Sequence, residues 1–178
     1  AECYERAGKI RHRNYMWYNQ SILYRNINKY DESERLLRMA LASAKEDGDQ
    51  TLISYCMGAL VMSFVEQNHM SEARSFYKEL KLLVDEDYGS SSFLAVLAQL
   101  HASEGDFTQA QKCLDQGWSL ATVKTDSISL YISSSEVYNL QGNGKAAYQM
   151  LMKGVLFQNQ EIYQALKQPV LTVQRDYL

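Results

Sequence analysis

The feature that most constrains this chain is an internal repeat. Four stretches align without gaps and start at Ile27, Gln67, Glu104 and Gln141, so that successive starts lie 40, 37 and 37 residues apart. Each stretch opens with a polar or glycine-containing corner, continues to a small residue, and reaches a large residue four positions later. The small residues are Ser33, Ala73, Ala110 and Ala147, and the large ones are Leu37, Tyr77, Leu114 and Leu151. Because positions four apart share one face of a helix, each stretch predicts a helix that buries this face.

The segment before each corner repeats as well. In the first unit, Trp17, Gln20, Ser21 and Tyr24 are spaced by three, one and three residues, which also places them on one helix face. The counterparts in the later units are Met57, Leu60, Val61 and Phe64; Leu94, Leu97, Ala98 and His101; and Tyr131, Ser134, Ser135 and Tyr138. Each unit therefore predicts a helical hairpin in which small residues at the crossing let the two helices approach closely.

These residues resemble the tetratricopeptide-repeat pattern, in which W-x2-L-G-x2-Y precedes an alanine of the second helix. The resemblance extends from about Asn14 to Asn159. Two features differ from the family: the period is longer than 34 residues, and Lys45, Asp85, Thr122 and Asn159 stand where a proline is usual. The resemblance implies an all-α fold, a TPR-like α-α superhelix (solenoid) with a concave surface. The alternative is an irregular helical bundle.

The pattern predicts one domain over residues 1–178 with about four helix-turn-helix repeats, plus N-terminal and C-terminal helices. The repeats are expected at 14–47, 50–86, 90–122 and 126–158, with a helix running from about Glu2 into the first repeat and a helical segment at 160–178. Pro169 predicts that this last segment ends or kinks near Gln168. Predicted helix caps are Asp31, Asp49, Ser71, Ser90, Thr108, Asp126 and Asn143.

Composition agrees with a helical fold and argues against direct nucleic-acid binding. The chain has a single proline and nine glycines, and its 18 basic and 21 acidic residues give a net charge of −3. No dominant basic patch is present, so we expect no direct nucleic-acid contact. Cys3, Cys56 and Cys113 are odd in number and far apart, which predicts buried thiols rather than a disulfide framework and favours a reducing compartment. The longest apolar run, Leu52 to Val65, is too short to cross a bilayer.

No pattern of reactive residues indicates catalysis. His12, His69 and His101 lack metal-ligand spacing among themselves and with the cysteines, and no glycine-rich phosphate loop follows a strand. We therefore expect no catalytic residues, no metal and no cofactor, and we do not expect an enzyme.

The first helix of each repeat should present a second stripe, away from the repeat core, to the concave side. Tyrosine and methionine with scattered polar groups suit contact with a protein or a peptide. The predicted binding residues are Tyr15, Tyr18, Arg25, Asn26, Tyr55, Met62, Gln99 and Asn139. The alternative is that these tyrosines pack against neighbouring units. Because Tyr18 stands where chaperone-binding members of the family have a lysine, a co-chaperone role is not expected.

Beyond the repeats, the whole pattern resembles the sensor part of bacterial tetratricopeptide-repeat transcriptional regulators and sensor kinases. The degenerate repeats and the tail "QPVLTVQRDYL" carry this resemblance. It implies a periplasmic domain of a membrane-anchored protein, with a membrane span following Leu178 and a protein or peptide ligand. Two alternatives stay open: a cytoplasmic adaptor or peptide-responsive regulator without an anchor, and a hydrolase or transferase built on helices. The sequence leaves the ligand, the output module and the oligomeric state undefined.

Overall fold

The computed structural model describes the backbone of residues 2–85 and 88–177, and the side chains of residues 8–85, 88–165 and 167. Within these ranges the chain forms eight α-helices and no β-strand. The helices are α1 (Glu2–Asn26), α2 (Tyr30–Asp47), α3 (Gln50–Glu66), α4 (Met70–Leu80), α5 (Ser91–Ser103), α6 (Phe107–Leu120), α7 (Lys124–Leu140) and α8 (Gly144–Tyr177). The predicted fold class, an all-α TPR-like helical repeat, is confirmed.

The helices belong to two compact units, unit 1 (Ala1–Tyr88) and unit 2 (Gly89–Leu178). In unit 1, α1 packs on α2, α3 packs on α4, and the two hairpins meet through α2 and α3. In unit 2, α5 packs on α6 and α7 packs on α8, while α5 and α7 join the hairpins. Each unit thus buries the apolar faces of two consecutive hairpins, and the prediction of one domain over residues 1–178 stays a prediction.

The four corners share one backbone geometry. The residue in the left-handed conformation is Asn28, Asn68, Gly105 or Gly142, with φ of 59°, 61°, 81° and 77° in that order. The amide of the following residue donates to a carbonyl five positions earlier. These bonds are Lys29 N to Tyr24 O at 2.9 Å, His69 N to Phe64 O at 2.7 Å, Asp106 N to His101 O at 3.0 Å and Asn143 N to Tyr138 O at 2.9 Å. Such bonds end a helix around a left-handed residue, which explains why asparagine and glycine hold these positions.

The small residues after each corner are buried, as predicted. Ser33, Ala73 and Ala110 have no exposed surface, and Ala147 is 7% exposed. Among the large residues four positions later, Leu37 and Leu114 are buried and Tyr77 is half-buried, whereas Leu151 is 44% exposed. The last of these is exposed because α8 packs only on α7 among the described helices.

Two helix boundaries differ from the prediction. Helix α4 ends at Leu80, and residues 81–83 form turns, so the helix expected up to residue 86 is shorter. Helix α8 is continuous from Gly144 to Tyr177. The second helix of the repeat predicted at 126–158 and the helical segment predicted at 160–178 are therefore one helix, which does not end near Gln168. No glycine or proline interrupts residues 155–168, and the helix continues through Pro169 although a proline removes one backbone donor and crowds the preceding turn.

Three predicted caps are confirmed. Asp49 accepts a hydrogen bond from Leu52 N at 3.1 Å, Ser90 from Phe93 N at 3.2 Å, and Asn143 from Ala146 N at 3.2 Å. The other four predictions were wrong. Helices α2, α4 and α6 have their N-caps two residues before Asp31, Ser71 and Thr108, and the α7 N-cap is Val123 rather than Asp126. The left-handed corner fixes each of the first three starts directly after itself, earlier than the side-chain pattern indicates.

Cys56 and Cys113 are buried free thiols, as predicted, whereas Cys3 lies outside the described side chains. In the part of the chain that the structure describes, no helix is both long enough and apolar enough to cross a membrane.

Candidate protein-binding face

The predicted binding residues of unit 1 lie on its two first helices. Tyr15, Tyr18, Arg25 and Asn26 belong to α1, and Tyr55 and Met62 belong to α3. We call the surface formed by these six residues the α1–α3 face. Side-chain contacts join α1 to α3 at two points along it, one aromatic and one charged.

The aromatic contact is between Tyr18 and Tyr55. Their rings stack with centroids 5.8 Å apart and an interplanar angle of 29°, and Tyr55 remains 41% exposed. Tyr88, which follows α4 in sequence, lies beside this pair and donates its hydroxyl to the Ser54 carbonyl of α3 at 3.1 Å. Burial raises the pKa of Tyr18 and of Tyr88 above the ordinary tyrosine value, so both hydroxyls are neutral at physiological pH.

Sequence reasoning missed Tyr88. It lies outside the helical repeat pattern, in the segment between α4 and α5, and its only signal was an aromatic residue shortly before Ser90, the N-cap of α5. The prediction of α4 up to residue 86 concealed this segment, because a longer helix leaves little chain to fold back onto α3.

The charged contact is formed by Arg25, whose side chain is only 14% exposed. Its Nη1 lies 3.4 Å from the Met62 sulfur, and its Nε lies 3.6 Å from Oε2 of Glu66 on α3. Desolvation raises the pKa of Glu66, and the neighbouring Arg25 charge partly opposes this rise. Arg25 therefore connects α1 to α3 through packing as well as charge.

At the other end of the face, Tyr15 lies beside Arg11. The Arg11 guanidinium stands 5.8 Å from the centre of the Tyr15 ring, and its Nε is 3.1 Å from Oδ2 of Asp49, the residue that caps α3. An arginine thus borders the face at each end, and each one is paired with a carboxylate.

The other predicted binding residues, Asn26, Gln99 and Asn139, do not take part in these two contacts between α1 and α3. Asn26 is exposed at the last position of α1. Gln99 and Asn139 belong to unit 2, where Gln99 donates its amide to the Ser133 hydroxyl at 2.8 Å and Asn139 is exposed near the end of α7. The polar side chain of Gln99 is thus already hydrogen-bonded within unit 2, whereas the candidate face of unit 1 has an exposed aromatic ring.

Unit 2 contains a groove that sequence reasoning did not identify. It has a volume of about 360 Å³ and is lined by residues of α6, α7 and α8, among them Trp118, Tyr131 and Lys153. Trp118 packs edge-on against Tyr131, with ring centroids 4.9 Å apart. The repeat alignment placed Tyr131 in the core stripe, and nothing in the sequence signalled that Trp118 of the preceding helix would meet it.

Outside the α1–α3 face, Cys56 of α3 is a buried free thiol. Burial raises the pKa of the Cys56 thiol to about 12, so this thiol is protonated and a poor nucleophile at neutral pH. No group of three or more His, Cys, Asp or Glu residues that could hold a metal ion occurs within the described residues.

Residues 17–51 match the family model described as "Tetratricopeptide repeat". The match is confined to this one segment of the chain. The matched segment comprises the last part of α1, all of α2 and the start of α3, and so includes Tyr18 and Arg25. Tetratricopeptide repeats typically act as non-catalytic scaffolds that mediate protein–protein interaction.

The fold is similar to a solved structure, "Crystal structure of BtubC (BKLC) from P. vanneervenii", with a TM-score of 0.57 and 17% sequence identity. The similarity covers 83% of this chain and 64% of that one, so the chain spans less than two thirds of the length of the protein it resembles. A comparison of the sequence with curated proteins finds no match.

Proposed function

We propose that the α1–α3 face of unit 1 binds a protein or a peptide. The observation that carries the proposal is the Tyr18–Tyr55 stack, which leaves Tyr55 41% exposed. An aromatic ring held in place by its neighbour offers a large contact area and loses little conformational entropy on binding. Tyrosine is, with tryptophan and arginine, among the residue types that most often dominate binding energy at interfaces.

The tetratricopeptide repeat supports the same class of function, because such repeats mediate protein–protein interaction. The match includes the last part of α1, which contributes Tyr18 and Arg25 to the face. A hydrolase or transferase built on these helices lacks a comparable supporting observation.

Selection from a displayed peptide library on the folded chain tests the proposal. We expect selected peptides to bind the wild-type chain and to lose binding to Tyr55→Ala. Tyr148→Ala is the matched control, because Tyr148 is 64% exposed on α8, in the other unit. A library that yields no binder, or binders that tolerate Tyr55→Ala, contradicts the proposal.

The biological setting extends this proposal. In it, the face senses a protein or peptide signal as the periplasmic part of a bacterial membrane-anchored transcriptional regulator or sensor kinase. The degenerate repeats and the tail that begins at Gln168 support this setting. The alternative is a cytoplasmic adaptor or regulator that has no membrane anchor.

The coding sequence downstream of Leu178 distinguishes these settings. An apolar span of about 20 residues soon after that position supports the membrane-anchored regulator. A polar continuation, or a stop, supports the adaptor. Peptide binding at the α1–α3 face is common to both settings and does not depend on this result.

A further inference from the structure

We propose that the groove of unit 2 binds a free aromatic α-amino acid. This groove lies between α6 and α8, has residues of α7 as its floor and a volume of about 360 Å³, and we call it the α6–α8 groove. The proposal is independent of the α1–α3 face. It follows from three features of the groove: aromatic rings held at one end, two opposite charges that are not paired with each other, and a buried hydroxyl without a partner.

One end of the groove is formed by aromatic rings. Trp118 of α6 packs edge-on against Tyr131 of α7 with ring centroids 4.9 Å apart, and Tyr131 also contacts Phe157 of α8 at 6.4 Å. Two rings thus hold Tyr131 in place, while Trp118 stays 37% exposed. The exposed part of Trp118 offers a positioned surface on which another aromatic ring can pack.

Three polar residues of the groove, Asp115, Ser134 and Lys153, lie one helical turn from these rings. Connections of three residues join α6 to α7 and α7 to α8, so α6 and α8 both run antiparallel to α7. Asp115 and Lys153 precede the aromatic residue of their own helices by three and four positions, and Ser134 follows that of α7 by three. The three residues therefore share one level of the groove, roughly 5 Å along it from the rings.

The two charges at this level are not paired with each other. Oδ1 of Asp115 accepts a hydrogen bond from the Gln111 amide at 2.9 Å, and Oδ2 has no partner among the described residues. Lys153, on the opposite wall, has no ion-pair partner among the described side chains. A ligand with a single charge would meet a like charge as well as an opposite one. A zwitterion instead brings an opposite charge to each wall.

The Ser134 hydroxyl gives the zwitterion an orientation. Ser134 is 5% exposed and lines the floor of the groove, and its hydroxyl has no hydrogen-bond partner among the residues that the structure describes. A buried hydroxyl without a partner costs stability, and a carboxylate that accepts its hydrogen bond removes this cost. We therefore place the ligand carboxylate against Ser134 and Lys153, and the ligand ammonium against Asp115.

An aromatic α-amino acid combines these features in one small molecule. Its ammonium and carboxylate are attached to the same carbon, which matches two charges at one level of the groove. Its ring begins one carbon further on and extends toward Trp118. The groove volume of about 360 Å³ lies at the lower end of the range for small-molecule sites, roughly 300–1,000 Å³, which favours a ligand of this size over an extended peptide.

An NMR titration of the isotope-labelled chain with L-phenylalanine tests the inference. We expect saturable shifts of backbone amide signals in α6, α7 and α8, with a dissociation constant in the millimolar range for so small a ligand. L-Alanine carries the same two charges but no ring, and it should bind about tenfold more weakly.

Blocked ligands and matched variants test the two charges separately. L-Phenylalanine amide lacks the carboxylate and N-acetyl-L-phenylalanine lacks the ammonium, and each should bind the wild-type chain about fivefold more weakly than phenylalanine. Lys153→Gln should remove the preference over the amide, and Asp115→Asn the preference over the N-acetyl form. Lys145→Gln, at an exposed lysine of α8 outside the groove, is the control and should bind like the wild type. The amide spectrum of each variant establishes that it is folded.

Three results would overturn the inference. The first is the absence of saturable shifts, or shifts confined to residues outside α6, α7 and α8. The second is equal binding of phenylalanine and its two blocked forms to the wild-type chain. The third is tighter binding of a blocked tripeptide, acetyl-Lys-Phe-Glu amide, than of phenylalanine, because the ligand would then be a protein segment. None of these results bears on peptide binding at the α1–α3 face.

Discussion

The repeat corners make a sharp prediction, because one type of substitution should have opposite effects at neighbouring glycines. Gly105 has φ of 81° and Gly142 has φ of 77°, and a Cβ added at either would meet no atom within 4 Å. Gly144, the first residue of α8, also has open space around it, but its φ is not in the left-handed region. Steric crowding is therefore absent at all three positions, and only the backbone conformation differs.

The magnitude follows from the conformation. A residue with a Cβ costs about 1–2 kcal/mol in the left-handed region, so Gly105→Ala and Gly142→Ala should each lower the free energy of unfolding by that amount. This corresponds to a decrease in Tm of about 2–8 °C for a chain of this size. In α8, Gly144→Ala should instead raise the free energy of unfolding by up to about 1 kcal/mol, because alanine has the higher helix propensity.

Thermal and urea unfolding, followed by circular dichroism, measures all three variants. The comparison is direct because Gly105, Gly142 and Gly144 belong to the same unit. The reasoning is refuted if either corner variant is as stable as the wild type, or if Gly144→Ala loses as much stability as the corner variants. The first result would mean that the corner does not hold the left-handed geometry on which the repeat alignment depends. The second would mean that backbone conformation does not decide the effect of these substitutions.

Three further predictions concern the core and two titratable groups. Leu37 is 1% exposed, so Leu37→Ala should lower the free energy of unfolding by about 2–5 kcal/mol, measured by urea unfolding, and a loss below 1 kcal/mol would contradict its place in the core. The Cys56 thiol, with a pKa of about 12, should resist alkylation by iodoacetamide at pH 8 in the folded chain and react after unfolding; rapid labelling of the native protein would argue against its burial. The folded-state pKa of Glu66 is raised, so its contribution to stability is greatest below the unfolded pKa and decreases as pH rises through the folded pKa. In Glu66→Gln this pH-dependent contribution should be absent from unfolding curves measured between pH 4 and pH 7. Identical pH dependence in the variant and the wild type would count against the prediction.

Part of the candidate face could be predicted from the repeat pattern, and part could not. The spacing of first-helix residues correctly assigned Tyr18, Arg25, Tyr55 and Met62 to helices, and the structure places them in contact across α1 and α3. The role of these residues in binding stays a prediction. Tyr88 was not predicted, because a segment without periodicity carries no information about which helix it folds against.

The sequence by itself determined the helical hairpins, the four corners and the buried small residues, since these depend on local conformation and on spacing within one helix. Asn28 and Gly105 end their helices through backbone preferences that act within a few residues. Only the tertiary structure decided the stacking of Tyr18 on Tyr55, the pairing of Arg25 with Glu66 and the packing of Tyr88 beside them. These contacts join residues that are 37 or more positions apart or lie outside the helices. They depend on how one hairpin packs on the next, and a periodic pattern along the chain does not encode which side chains of the two hairpins meet.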